Sequence, residues 1–182
     1  MASRIIRCMA AGIALLAASA LTLNAQVTDG DMRWQWTGTA AIPYANYTNA
    51  GAGDHVFQNW WLFRVEGEAS ETEFPNNQAL HVFNGNTGTL DLSTPTIGAN
   101  LELTLVAGAN PGSGTLTQEL TITNNTGADT IIHIFSYTDY DVLGSGTDSA
   151  TLFAPNHIRI SDGAGFSDYL APGADAYEVT AF

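Results

Sequence analysis

Lysine is absent from all 182 residues, and the five basic residues are arginines. No P-loop can therefore supply its phosphate-binding lysine. The single cysteine, Cys8, lies within the first 25 residues, just ahead of an apolar leader-like run. Beyond that run there is no thiol, which excludes disulfide staples and cysteine-ligated zinc. The four histidines, His55, His81, His133 and His157, are scattered with no H-E-x-x-H, and no G-x-S-x-G elbow is present. Helical signals are equally scarce, because past the leader no window carries a capped 3.6-residue apolar stripe.

The leader itself is well formed. Arg4 and Arg7 make a short positive start, Met9 to Leu23 is small and apolar, and Leu23-Asn24-Ala25 ends the run with a small residue. This is a Sec-type signal peptide over residues 1–25. Its apolar run falls short of the roughly 20 residues a membrane span needs, and Ala18-Ser19-Ala20 is a competing cleavage site. Cys8 precedes the run, where a lipoprotein signal would place its cysteine afterwards. The expectation is a secreted chain without stable membrane insertion.

Cleavage after Ala25 leaves 157 residues, the size of one domain. The whole chain has 18 acidic residues against five arginines and a net charge of −13; losing Arg4 and Arg7 leaves three against 18, or −15. Such a surface repels phosphate backbones and anionic lipid, so nucleic acid and polybasic membrane docking are excluded as partners. An apolar content of 45% with four tryptophans calls for a packed core rather than disorder.

Alternation at period two predicts strands nearly everywhere. Within Val56 to Val65, Phe57, Trp61, Phe63 and Val65 share one face and Trp60 and Leu62 the other. Leu101, Leu103 and Leu105 alternate with Glu102 and Thr104, and Leu116, Leu120 and Ile122 alternate with threonine and glutamate. These patterns describe half-buried antiparallel strands with one wet face. Turn clusters separate them at Asn84-Gly85-Asn86, Asn110 to Gly114, Asn124 to Gly127 and Ser161-Asp162-Gly163. The expectation is an all-β, antiparallel β-sandwich or jelly-roll-like domain over residues 26–182.

Ile131 to Tyr137 reads as a central strand, with Ile132 and Ile134 on one face and Ile131, Phe135 and Tyr137 on the other. The acidic loop after it carries Asp139, Asp141 and Asp148 among glycines. Calcium takes six to eight oxygens, and a glycine-rich loop can bring a third aspartate to two others, so these three are the candidate metal ligands. The loop is not an EF-hand: Leu143 stands where the third ligand belongs, and the twelfth position holds no glutamate. Aspartates bonding to backbone amides in an acidic hairpin are the ordinary alternative.

Two segments stand out: His55-Val56-Phe57-Gln58-Asn59-Trp60-Trp61-Leu62-Phe63-Arg64-Val65 with Gly67 and Glu71, and Ile122 to Asn125 with Phe135 to Asp141 and Asp148-Ser149-Ala150. Together they resemble an uncharacterised bacterial family of secreted proteins of the PEP-CTERM-associated type. The resemblance implies export and a β-sandwich, and it implies no activity. The chain ends at Glu178-Val179-Thr180-Ala181-Phe182, which reads as a strand and lacks the Pro-Glu-Pro sorting signal. It is expected to be either released or continued by further strands beyond Phe182.

Three further readings remain. Trp34 and Trp36 share a face and, with Trp60, Tyr44 and Tyr47, would form a platform for stacking sugar rings; tryptophan in a sandwich core is the competing role. Glu66, Glu68, Glu71 and Glu73 superficially match the carboxylate strand of jelly-roll glycosidases, but Gly67, Ala69 and Ser70 favour a solvated turn. The functional expectation is a non-enzymatic extracellular or cell-surface matrix protein with polysaccharide or other matrix components as partners. A carbohydrate-binding module is the first alternative and a glycoside hydrolase-like jelly roll the second.

Overall fold

The computed structural model describes residues 25–36, 45–49, 53–77, 80–163 and 165–179. The leader up to residue 24, Tyr44 and Thr180 to Phe182 lie outside the described residues, as does the side chain of Tyr47. What is described is all-β and antiparallel, arranged as a sandwich of several sheets.

One layer is a meander. Strands β7 (Val82–Asn84), β8 (Thr87–Asp91), β9 (Ile97–Ala107) and β10 (Gly114–Asn124) pair in sequence order. Gly85 and Asn86 form the two-residue turn between β7 and β8, and Gly85 takes φ of 60°, the left-handed conformation that such hairpin turns require. On β9 the expected alternation holds without a break: Ile97, Ala99, Leu101, Leu103 and Leu105 are buried while Glu102 and Thr104 are exposed.

The opposing layer has two sheets. In the first, β1 (Gln26–Asp29), β2 (Met32–Trp36), β3 (Ala45–Asn49) and β4 (Gly53–Asp54) pair in order; in the second, β5 (Gln58–Val65) is flanked by β11 (Ile132–Asp139) and β6 (Thr72–Glu73). Strand β3 runs beside β5, so the two sheets adjoin. Val27, Met32, Trp34 and Trp36 from this layer meet Leu90 and the β9 leucines from the other, and Phe63 and Phe74 extend the core under β5 with ring centroids 4.7 Å apart.

Polar links cross the layers where the core thins. Trp61 Nε1 donates to Gln118 Oε1 at 3.0 Å, Gln118 Nε2 donates to Asn59 Oδ1 at 3.0 Å, and Asn59 Nδ2 donates to Thr138 Oγ1 at 2.9 Å. This chain joins β10 to β5 and β11 and satisfies groups whose burial would otherwise cost free energy. At the opposite end, Asp29 Oδ2 accepts from the Ala107 amide and Asp31 Oδ2 from the Gly112 amide, fastening the β1–β2 turn to the end of the β9–β10 hairpin.

A fourth sheet of β12 (Ser149–Ala154), β13 (His157–Asp162) and β14 (Gly165–Leu170) completes the chain of strands. It contributes no residue to the main core cluster.

Three expectations change. The segment 131–137 is an edge rather than a central strand: β11 pairs only with β5 among the described residues, and Ile131 is 61% exposed. The expected faces are right, since Ile132 and Ile134 lie opposite Val65 and Phe63 on the core side, but a strand at the rim has no neighbour to cover its far flank. Phe57 precedes β5 and is half exposed, so the inward set is Asn59, Trp61, Phe63 and Val65. Ala171 to Val179 forms turns and coil; of the expected strand Glu178 to Phe182, Glu178 and Val179 lie in that coil and the rest lies outside the described residues.

Candidate functional site: an acidic junction and an aromatic sheet face

The aspartates singled out from sequence lie where three segments meet. Strand β11 delivers Asp139, whose carbonyl accepts from the Phe57 amide at 2.9 Å. The chain then makes a single 3₁₀ turn at Val142–Gly144, closed by the Gly144 amide on the Asp141 carbonyl, and Leu143 takes φ of 61°. A left-handed leucine is strained, and it sits where space is shortest. A Cβ on Gly53 would lie 3.0 Å from the Leu143 carbonyl oxygen, and one on Gly165 would lie 2.8 Å from the Leu143 side chain. Glycine at both positions lets β4 and β14 close on this turn.

Asp148 folds back over the turn and accepts from the Val142 amide through Oδ2 at 2.9 Å, as an Asx-type cap does. His55 reaches across to the fourth sheet, its Nδ1 3.2 Å from Ser167 Oγ. Asp54 Oδ1, His55 Nε2 and Asp148 Oδ1 are buried with no hydrogen-bond partner among the described residues.

The electrostatics follow from this crowding. Burial, then the charges of Asp141 and Asp148, push the Asp139 carboxyl above its usual value. Burial raises Asp148 as well, with Asp162 and Asp141 adding to the effect against the Val142 amide and His55. Burial likewise raises Asp54, aided by Asp141 and opposed by the Val56 and His55 amides. Burial lowers the His55 imidazole, and Asp148 partly offsets this. Like-charged carboxyls in a poorly solvated junction resist ionising together.

Asp139, Asp141 and Asp148 therefore share one neighbourhood, as the sequence suggested. They do not close into a ligand set: among the described residues, no group of three or more His, Cys, Asp or Glu side chains is placed to hold a metal ion. The ordinary alternative, a carboxylate bonded to a backbone amide, describes Asp148 directly. Sequence reasoning missed Asp54 at the end of β4, His55 just after it, and Asp162 at the end of β13; only the packing of β4 and β13 against the 142–144 turn brings them in.

The tryptophans divide between core and surface. Trp34 and Trp36 are 1% and 4% exposed and pack on each other with centroids 5.6 Å apart. Sugar stacking needs an open ring face, so the expected platform gives way to core at these two positions. Trp60 is half-buried on the outer side of β5, 5.3 Å from Tyr137 on β11.

The glutamates line an exposed strand end. Glu66 is 2.8 Å from His133 Nε2, Glu68 accepts from the Val65 amide, and Glu71 pairs with Arg64 at 3.0 Å. None is held in the desolvated setting that general-acid chemistry requires.

A second exposed feature was not foreseen. On the outer face of the fourth sheet, the Arg159 guanidinium lies 4.9 Å from the Phe153 ring centroid and 4.0 Å from that of Phe166, while His157 stacks on Phe153 at 5.3 Å. Asp168 accepts from Arg159 Nε and Nη2, both at 2.7 Å, and lies 3.1 Å from His157. Phe153 and Phe166 are 57% and 53% exposed. The register supplies the reason: Arg159 is opposite Thr151 and Asp168, which gathers these side chains on one face. The alternation of Ile158 and Ile160 with His157, Arg159 and Ser161 was the available signal.

Fold and site together define an antiparallel all-β sandwich-type protein with an acidic junction and an exposed aromatic sheet face. Comparison of the chain with protein-family models, curated proteins and solved structures finds no match.

Proposed function

We propose that the chain is an exported, non-enzymatic structural or interaction protein of the extracellular or cell-surface matrix type. The observation that carries this reading is the fourth sheet, which presents Leu152, Phe153, Phe166 and Leu170 to solvent in a chain of net charge −13. Exposed apolar groups gathered on one sheet are the usual mark of a surface that meets another surface. The leader pattern at residues 1–25 and the resemblance to secreted PEP-CTERM-associated proteins support export. The acidic junction supports a structural role, because the Asp148 carboxyl caps the Val142 amide in the turn that leads from β11 to β12. Fractionating producing cells into cytoplasm, envelope, matrix and medium tests the reading. Recovery in the matrix or envelope fraction is expected, and confinement to the cytoplasm contradicts it.

Carbohydrate binding is the second reading, and the Trp60–Tyr137 pair on the outer side of β5 and β11 favours it. Titration with soluble polysaccharides, followed by tryptophan fluorescence, separates the two. A saturable change that disappears in Trp60→Ala would replace the structural reading with the binding one.

A further inference from the structure

We propose that the free edge of β12 is a self-association site, at which a second copy of this chain adds its own β12 antiparallel to the first. The sheet runs β12, β13, β14, and among the described residues no strand pairs with the far edge of β12. Every residue from Ser149 to Phe153 is exposed. Leu152 points to the body side of the sheet and Phe153 to the outer side, yet they are 46% and 57% exposed. Apolar side chains left half-open on both faces of one strand are what a missing neighbouring strand produces, and an added strand would cover both.

A second copy is the occupant that the strand itself selects. In an antiparallel pair related by a two-fold axis perpendicular to the sheet, equivalent residues must fall on the same face. Centring the axis on Thr151 meets that condition. Thr151 then opposes its own equivalent, Ala150 opposes Leu152, and Ser149 opposes Phe153. Small residues meet large ones, and Thr–Thr is a favourable cross-strand pair. Charge points the same way. Each other edge strand of four residues or more in the described sheets carries an acidic residue: Asp29 on β1, Glu119 on β10, Asp139 on β11 and Asp168 on β14. In a chain this acidic, β12 is where two copies meet with least repulsion. The register irregularity between Leu152 and Ala154 bends the end of the strand and confines pairing to the Thr151-centred segment.

The inference stands on the strand and goes beyond the matrix reading. A self-pairing chain found only in the cytoplasm would keep the first and lose the second. Sedimentation velocity on the full chain from about 1 to 100 μM, the range in which moderate self-association shows, tests it. The wild-type chain is expected to shift from monomer to dimer across that range. Thr151→Glu places two carboxylates opposite each other at the axis, while Arg159 on the neighbouring strand accommodates each in the monomer, so the dimer boundary should be lost with the circular dichroism spectrum retained. Leu152→Lys should act alike. If Leu152→Lys fails to fold, Thr151→Glu alone decides. A wild-type chain that stays monomeric throughout overturns the proposal and leaves the edge to another partner; dimers unchanged by Thr151→Glu overturn it by placing the interface elsewhere.

Discussion

Replacing Trp34 with alanine is the sharpest test of how the sandwich is held together. Trp34 lies on β2 between the β1–β4 sheet and the leucines of β9, 1% exposed and in contact with Trp36. A buried tryptophan removes about 150–250 Å² from water, which at about 25 cal/mol per Å² is worth roughly 4–6 kcal/mol. Truncations of this kind measure about 3–5 kcal/mol, since the cavity collapses only in part. A domain of this size has only about 5–15 kcal/mol to lose. At roughly 2–4 °C per kcal/mol, the melting midpoint should fall by about 6–20 °C. Thermal and urea unfolding by circular dichroism read this directly, with a fall in the urea midpoint at constant slope. Trp34→Phe should recover most of the loss, because it keeps the ring and removes an indole N–H that is buried without a partner among the described residues. A Trp34→Ala protein with an unchanged midpoint would refute the packing, and loss of polysaccharide binding at unchanged stability would restore Trp34 to a surface platform.

The remaining predictions concern the polar junctions. Gln118→Leu removes the side chain that serves both relay bonds, leaving Trp61 Nε1 and Asn59 Oδ1 unsatisfied at about 1–3 kcal/mol each, read by urea unfolding. Asp139→Asn should raise the melting midpoint above neutral pH: the folded carboxyl titrates above its unfolded value, so its charge destabilises the fold at high pH, and the gain should shrink as pH falls through the folded value. His55 and His81 are both held below the usual imidazole value by burial, so the unfolded chain takes up protons first and stability should fall as pH drops below about 6.5. His55→Gln should flatten that slope in melts between about pH 7 and 5. Melts with calcium and with chelator should coincide, whereas binding to the native state alone would add about 2.7 kcal/mol at a hundredfold excess over Kd.

Much of the architecture was legible because period-two alternation acts locally. The leucines of β9, the Gly85-Asn86 turn and the faces of β5 and β11 could be read one strand at a time. Whether a strand is central or at the rim depends on which strands flank it, and Ile131 to Tyr137 is as apolar as a central strand while having one partner strand among the described residues. The fate of Trp34 and Trp36 was open for the same reason, since period two shows that they share a face without showing which layer that face meets. The candidate site was half legible: Asp139, Asp141 and Asp148 are neighbours in the chain, but Asp54, His55 and Asp162 join them only through tertiary packing against the 142–144 turn. The Phe153–Arg159–Phe166 stack lay hidden because its members come from three strands whose register the sequence does not print.

The most direct test of the account is the intact mass of the chain recovered from outside the producing cells. Export with leader removal predicts a species beginning at Gln26, in the matrix or envelope fraction, with a circular dichroism spectrum dominated by β-structure. A full-length chain beginning at Met1 and found only in the cytoplasm would contradict it.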